Sequence, residues 1–271
     1  MDNYFAIDSI TCIDKCITCM IYNPPETNRH MIRYYENMKN VNLFYAIDNN
    51  IKINIIEIKP RCLNFAENKI IIFSHGNAWN NFLTYDYLIS ISDKLNILTC
   101  TYDYPKYGLS EGELNENGCC KSLEIVVNHY LKLNYEITLV ASSIGTGVLI
   151  DYVSKNNWHN NIILISPFMS IPSIIIGSTC IDNCIKKNQY SSLNKIHKIK
   201  CGVKIFHGIN DEIININHAY NLYEMLPNKS IEPSWINNCN HNNILEKITM
   251  DDYNNILLLN DKKFENIKMI R

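Results

Sequence analysis

Short apolar runs recur along the chain, and segments with the 3.6-residue period of a half-buried helix separate most of them. Residues 43–47 and 51–58 are rich in β-formers and flank Asp48-Asn49-Asn50, which predicts a hairpin. Residues 69–73 read as a buried strand, 82–95 as a helix and 97–102 as another strand. The spacing of Leu123, Val126, Val127, Tyr130 and Leu131 predicts a helix over 117–133. Ile137, Leu139 and Val140 form the next strand, and Val148, Leu149, Tyr152 and Val153 the apolar face of the helix after it. Further strands are predicted at 162–165, 203–206 and 231–235, and a mostly helical ending at 243–269. Strands alternating with helices predict an α/β fold, with a largely parallel central sheet covered by helices on both faces. Residues 168–200 break the rhythm with Pro172, Gly177, Cys180 and Cys184, and are expected to leave the sheet as a cap-like excursion.

Length and composition fit one such domain. The 271 residues, 46% of them hydrophobic, suffice for a single core over 39–271, preceded by an extension at 1–38. A net charge of −2 without a basic run argues against nucleic acid as a partner. No run approaches the roughly 18 apolar residues of a membrane span. The eleven cysteines are scattered, and Asp2, Asp8 and Asp14 replace the cationic start of a secretory signal, so reduced thiols in a cytoplasmic setting are expected. Cys12, Cys16 and Cys19 fall at i, i+4 and i+7, on one face of a helix if one forms. They read as small packing residues or as sites of S-acylation giving peripheral membrane contact; Cys16-x-x-Cys19 lacks the second pair a zinc site would need.

The candidate chemistry lies where strands end. The segment around Ala141-Ser142-Ser143-Ile144-Gly145 is strand, sharp turn, helix, with Ser143 at the apex and Gly145 two places on. It is similar to the nucleophile elbow written G-x-S-x-G, with Ala141 in place of the first glycine. Alone it also reads as an ordinary strand-to-helix turn. Downstream, Asp211 follows the strand at 203–206, and His241 ends the polar loop after 231–235, giving the chain order Ser, Asp, His. Ser74-His75-Gly76-Asn77-Ala78 follows the strand at 69–73 and is either a tight turn or half of an oxyanion hole. In the second case the backbone N–H of Asn77 or Ala78 pairs with that of Ile144 to receive a developing negative charge. Such a site needs neither metal nor organic cofactor. His129, His159, His197 and His218 read as structural.

Taken together, Phe73-Ser74-His75-Gly76-Asn77-Ala78, Tyr102-Asp103-Tyr104, Tyr107-Gly108, Ser143-Ile144-Gly145-Thr146, Ser166-Pro167, His207-Gly208, Asp211-Glu212 and Asn240-His241-Asn242 resemble one group over residues 40–250. That group is the α/β-hydrolase-domain-containing protein 17 proteins, serine hydrolases that remove palmitate from cysteines of peripheral membrane proteins. Pro24-Pro25-Glu26 also echoes its N-terminal region. The resemblance implies an α/β-hydrolase fold, a triad of Ser143, Asp211 and His241, and an S-acylated protein or a small acyl ester as substrate. Ala141, Asn210 and Asn240 depart from the group's usual residues. A general carboxylesterase or serine peptidase of the same fold, and a non-catalytic binding protein on a hydrolase scaffold, are the alternatives.

Overall fold

A computed structural model describes residues 21–62, 64–176 and 188–270, with side chains described except at 67, 176 and 262–270. Among the described residues, eight strands form one sheet in the order β1-β2-β4-β3-β5-β6-β7-β8. They are β1 (Val41–Asp48), β2 (Ile51–Ile58), β3 (Ala66–Ser74), β4 (Ile97–Tyr102), β5 (Glu136–Ser142), β6 (Ile162–Ile165), β7 (Val203–Gly208) and β8 (Ser234–Ile236). The strands from β3 to β8 run parallel, whereas β2 is antiparallel to both β1 and β4. Asn49 and Asn50 close the β1–β2 hairpin with φ of 45° and 70°, the left-handed pair of a type I′ turn, which suits asparagine.

The cores of the central strands are mostly apolar because both faces are covered. Along β3, Ile70 and Ile72 enter one apolar layer while Ile71 and Phe73 enter the other. Ile162 and Leu164 against Ile163 and Ile165 repeat this alternation on β6. The first layer is closed by α3 (Glu116–Lys132), α4 (Ile144–Lys155), α6 (Leu193–Ile196) and α7 (Asn217–Glu224). The second is closed by α2 (Tyr85–Leu95), α8 (Ile244–Lys247) and α9 (Met250–Ile270). Each fully buried Ile, Leu or Phe contributes roughly 1.5–3 kcal/mol of transfer free energy.

Boundaries differ from the sequence pattern where local chemistry intervenes. β8 starts at Ser234 because Pro233 has no N–H to give the ladder. Residues 82–84 form a turn before α2, with Asn80 Oδ1 accepting from the N–H groups of Phe82 and Leu83 at 3.1 Å each. β7 runs two residues further than expected, through His207 and Gly208. The helical C-terminal stretch divides into α8 and α9. Of the excursion at 168–200, α5 (Ile171–Ile176) and α6 are described. α1 (Arg29–Glu36) packs Tyr35 on Phe82, with ring centroids 5.0 Å apart. None of the described helices is long and apolar enough to cross a membrane.

Candidate active site

Parallel strands place their carboxyl ends on one edge, and β3, β5, β7 and β8 each deliver one part of the site there. Ser143 sits between β5 and α4 with φ 53° and ψ −123°, a strained conformation for a residue with a Cβ. Its surroundings hold it there. Its N–H donates to the Ile165 carbonyl at 2.9 Å, and its own carbonyl accepts from the Thr146 N–H at 2.9 Å and hydroxyl at 2.7 Å. Gly145 lets α4 approach the β3 loop: a Cβ there would lie 2.3 Å from the Ser74 carbonyl oxygen. Ala141, buried on β5, faces Ser74 and Leu164 on the neighbouring strands, so its methyl is accommodated within the sheet.

Asp211 follows β7 by three residues, and its carboxylate is closed to solvent. Oδ1 accepts from the N–H groups of Ile213 and Ile214, at 3.0 and 2.7 Å. Oδ2 accepts from His241 Nδ1–H at 2.8 Å. Burial works to raise this carboxyl, but the hydrogen bond and charge of His241, the Ile214 N–H and His207 outweigh it and hold it below its usual range. With Nδ1 donating to a carboxylate, Nε2 of His241 is the acceptor, and it lies 3.1 Å from Ser143 Oγ. His207 backs the pair: its Nε2–H donates to the Ile214 carbonyl at 2.7 Å and stands 3.5 Å from Asp211 Oδ2.

The loop presenting His241 is braced by two asparagines. Asn240 Oδ1 accepts from the Asn242 and Asn243 N–H groups at 3.0 and 3.1 Å, and the Asn240 N–H donates to Asn243 Oδ1 at 2.9 Å. Gly208 lets that loop pass close over β7, since a Cβ there would lie 2.4 Å from the Cys239 carbonyl oxygen. Neither brace was apparent from sequence, because asparagine recurs in elements and loops alike.

A cavity of about 380 Å³ opens over Ser143. Asn77, Ala78 and Ile144 line it beside the serine and His241, while Phe168, Ile171, Ile174, Ile214 and Leu245 make it largely apolar. Among the described residues none accepts from the N–H groups of Ala78 and Ile144, and Ile144 opens α4, where first-turn amides have no intrahelical partner. Behind the β3 loop, the Tyr102 hydroxyl bonds Ser74 Oγ at 2.7 Å and the Tyr104 hydroxyl donates to the His75 carbonyl at 2.8 Å. Among the described residues no group of His, Cys, Asp and Glu could hold a metal ion. Cys12, Cys16 and Cys19 lie outside the described residues.

No family model matches the chain. A protein of Acanthamoeba polyphaga mimivirus named as an alpha/beta hydrolase is 42% identical over 254 residues, covering 90% of this chain and 94% of that protein. The chain belongs to the alpha/beta hydrolase family. Alpha/beta hydrolase domain-containing protein 17C of Xenopus tropicalis is 32% identical over 179 residues, 64% of this chain and 56% of that protein, so the match spans about half of that relative's length. The solved structure of Est1E from Butyrivibrio proteoclasticus with ferulic acid superposes with a TM-score of 0.66 at 16% identity, over 81% of this chain and 99% of that one, a likeness of fold.

Proposed function

We propose that this alpha/beta hydrolase cleaves acyl thioesters or esters with Ser143 as nucleophile, and that S-linked fatty acyl groups such as palmitate on proteins are its substrates. The observation that carries the reading is the continuous line from Asp211 through His241 to Ser143 Oγ, at 2.8 and 3.1 Å, on the floor of an apolar cavity. As Ser143 Oγ attacks the acyl carbonyl, His241 Nε2 takes its proton, and Asp211 holds the imidazole in that tautomer and balances the imidazolium. The oxyanion meets the N–H of Ile144 and that of Asn77 or Ala78, each such donor worth on the order of 3 kcal/mol in the transition state. His241 then protonates the leaving thiol or alcohol, and water repeats the cycle on the acyl-enzyme.

The aliphatic lining supports a long acyl chain, and the resemblance to the domain-containing protein 17 group supports a protein thiol as its carrier. Steady-state kinetics on an S-palmitoyl peptide, its O-acyl counterpart, a short-chain ester and a peptide amide test this. The expected order is long-chain thioester and ester well above short ester, no amide cleavage, and no turnover by Ser143→Ala. A preference for the short ester assigns a general carboxylesterase instead, and amide cleavage a peptidase.

A further inference from the structure

The proposed oxyanion hole draws on the backbone at Asn77 and Ala78, and the Asn77 side chain ties this part of the β3 loop to two distant segments. Asn77 Oδ1 accepts two hydrogen bonds, 2.6 Å from the Tyr107 hydroxyl and 2.9 Å from the Asn23 N–H. Tyr107 is fully buried on the loop after β4, packed 5.6 Å from the rings of both His75 and Tyr104. Asn23 belongs to a segment anchored on both sides. The Tyr22 hydroxyl bonds that of Tyr190 at 2.8 Å and donates to Asn188 Oδ1 at 3.3 Å, while Thr27 Oγ1 accepts from Asn80 Nδ2 at 3.1 Å. Ile21, at the start of the segment, is buried and lines the cavity.

We propose that residues 21–23 form a strap across the active site, and that the Asn77 side chain, clamped between this strap and Tyr107, is a positioning residue for the oxyanion hole. The proposal rests on Ser143 acting as nucleophile. Oxyanion donors accelerate a reaction only if they are aimed before the charge develops. Tyr102 and Tyr104 fix the loop at Ser74 and His75, upstream of the donors, and leave residues 77 and 78 to be fixed by another contact. An amide oxygen with both acceptor sites filled by donors from two separate segments supplies it. The loop end therefore stays aimed only while the strap is seated, which makes a segment far from Ser143 in sequence part of its chemistry.

The test uses the full chain, a chromogenic acyl ester and a fluorophosphonate probe. Tyr107→Phe removes one donor, and Asn23→Pro removes the other in a stretch that already continues through Pro24 and Pro25. Each is expected to lower kcat about 10-fold with KM within about twofold, and Asn77→Ala about 100-fold, within the range seen for losing an oxyanion donor. Combining Tyr107→Phe with Asn77→Ala is expected to cost no more than Asn77→Ala alone, because both act through Oδ1. Phosphonylation of Ser143 should slow in parallel. If Asn77→Ala fails to fold, Tyr107→Phe and Asn23→Pro carry the test, and combining them is expected to cost about 100-fold, because each removes a different donor. With wild type labelled at Ser143, additive losses for Tyr107→Phe with Asn77→Ala, losses confined to KM, or kcat within twofold of wild type in the single variants overturns the strap while leaving the nucleophile standing. Wild type without labelling overturns both.

Discussion

Replacing Gly145 by alanine tests whether the closeness of α4 and β3 sets the site's geometry. The added Cβ would lie 2.3 Å from the Ser74 carbonyl oxygen, 2.8 Å from its carbon and 2.9 Å from the His75 carbonyl oxygen. All three are backbone atoms at the root of the loop that carries Asn77 and Ala78. Real Cβ contacts essentially never fall under 3.0 Å, so helix and loop must separate by at least the difference of about 0.7 Å, and by more for ordinary contact. Overpacking of this kind costs about 1–3 kcal/mol, or a Tm lower by roughly 2–12 °C in a domain of this size. The same shift moves one oxyanion donor relative to Ile144 and Ser143, and a displacement near 1 Å costs about 100-fold in rate. Thermal melts and kcat on a short acyl ester measure the two effects separately. A Gly145→Ala enzyme that melts lower but keeps kcat within threefold of wild type would refute the argument that this contact aims the oxyanion loop.

Other perturbations separate the remaining parts. Asp211→Asn should fold, because the Ile213 and Ile214 N–H groups keep an acceptor, but kcat should fall by about 10⁴ once the imidazole loses its carboxylate; a loss under tenfold in the same ester assay contradicts that role. Ile174→Trp should fill the cavity from the α5 side and depress turnover of long acyl chains at least tenfold while sparing short ones, read from a chain-length series. Asp103 is fully buried, and burial pushes its carboxyl from 3.8 up to about 7 against hydrogen bonds from the Asn81 and Leu109 N–H groups. Between those values the native state keeps a proton that the unfolded chain has lost, so this group's contribution to stability falls as pH rises through the window and levels off above it. Urea denaturation from pH 4 to pH 7 should therefore show Asp103→Asn gaining on wild type by up to about 4 kcal/mol, and a difference independent of pH rules this out.

Much of the site was legible because each reacting residue closes an apolar run. Ser143 follows β5, Asp211 follows β7 and His241 ends the loop after β8, so the strand pattern alone placed them on one sheet edge. Strand cores such as 97–102 and 162–165 were readable because both faces are buried and the runs are built from apolar and β-branched residues without a charge. What the pattern could not carry was contact between polar side chains distant in sequence. The tyrosines at 102, 104 and 107 look like β-formers and loop aromatics, yet their hydroxyls reach three groups of the β3 loop, 28 to 30 residues away. Asn80, Asn240 and Asn243 act as local caps whose signal is diluted by the many asparagines elsewhere. The link from Asn23 to Asn77 spans 54 residues and uses a backbone donor, which leaves no trace in residue type.

The proposed mechanism requires that Ser143 become acylated during turnover. Mass spectrometry of the protein quenched early in its reaction with a long-chain acyl thioester, followed by peptide mapping, tests it most directly. One acyl adduct is expected, on the peptide carrying Ser143, decaying with continued turnover and absent from Ser143→Ala. Turnover with no adduct on that serine, or an adduct that persists in Ser143→Ala, would contradict it.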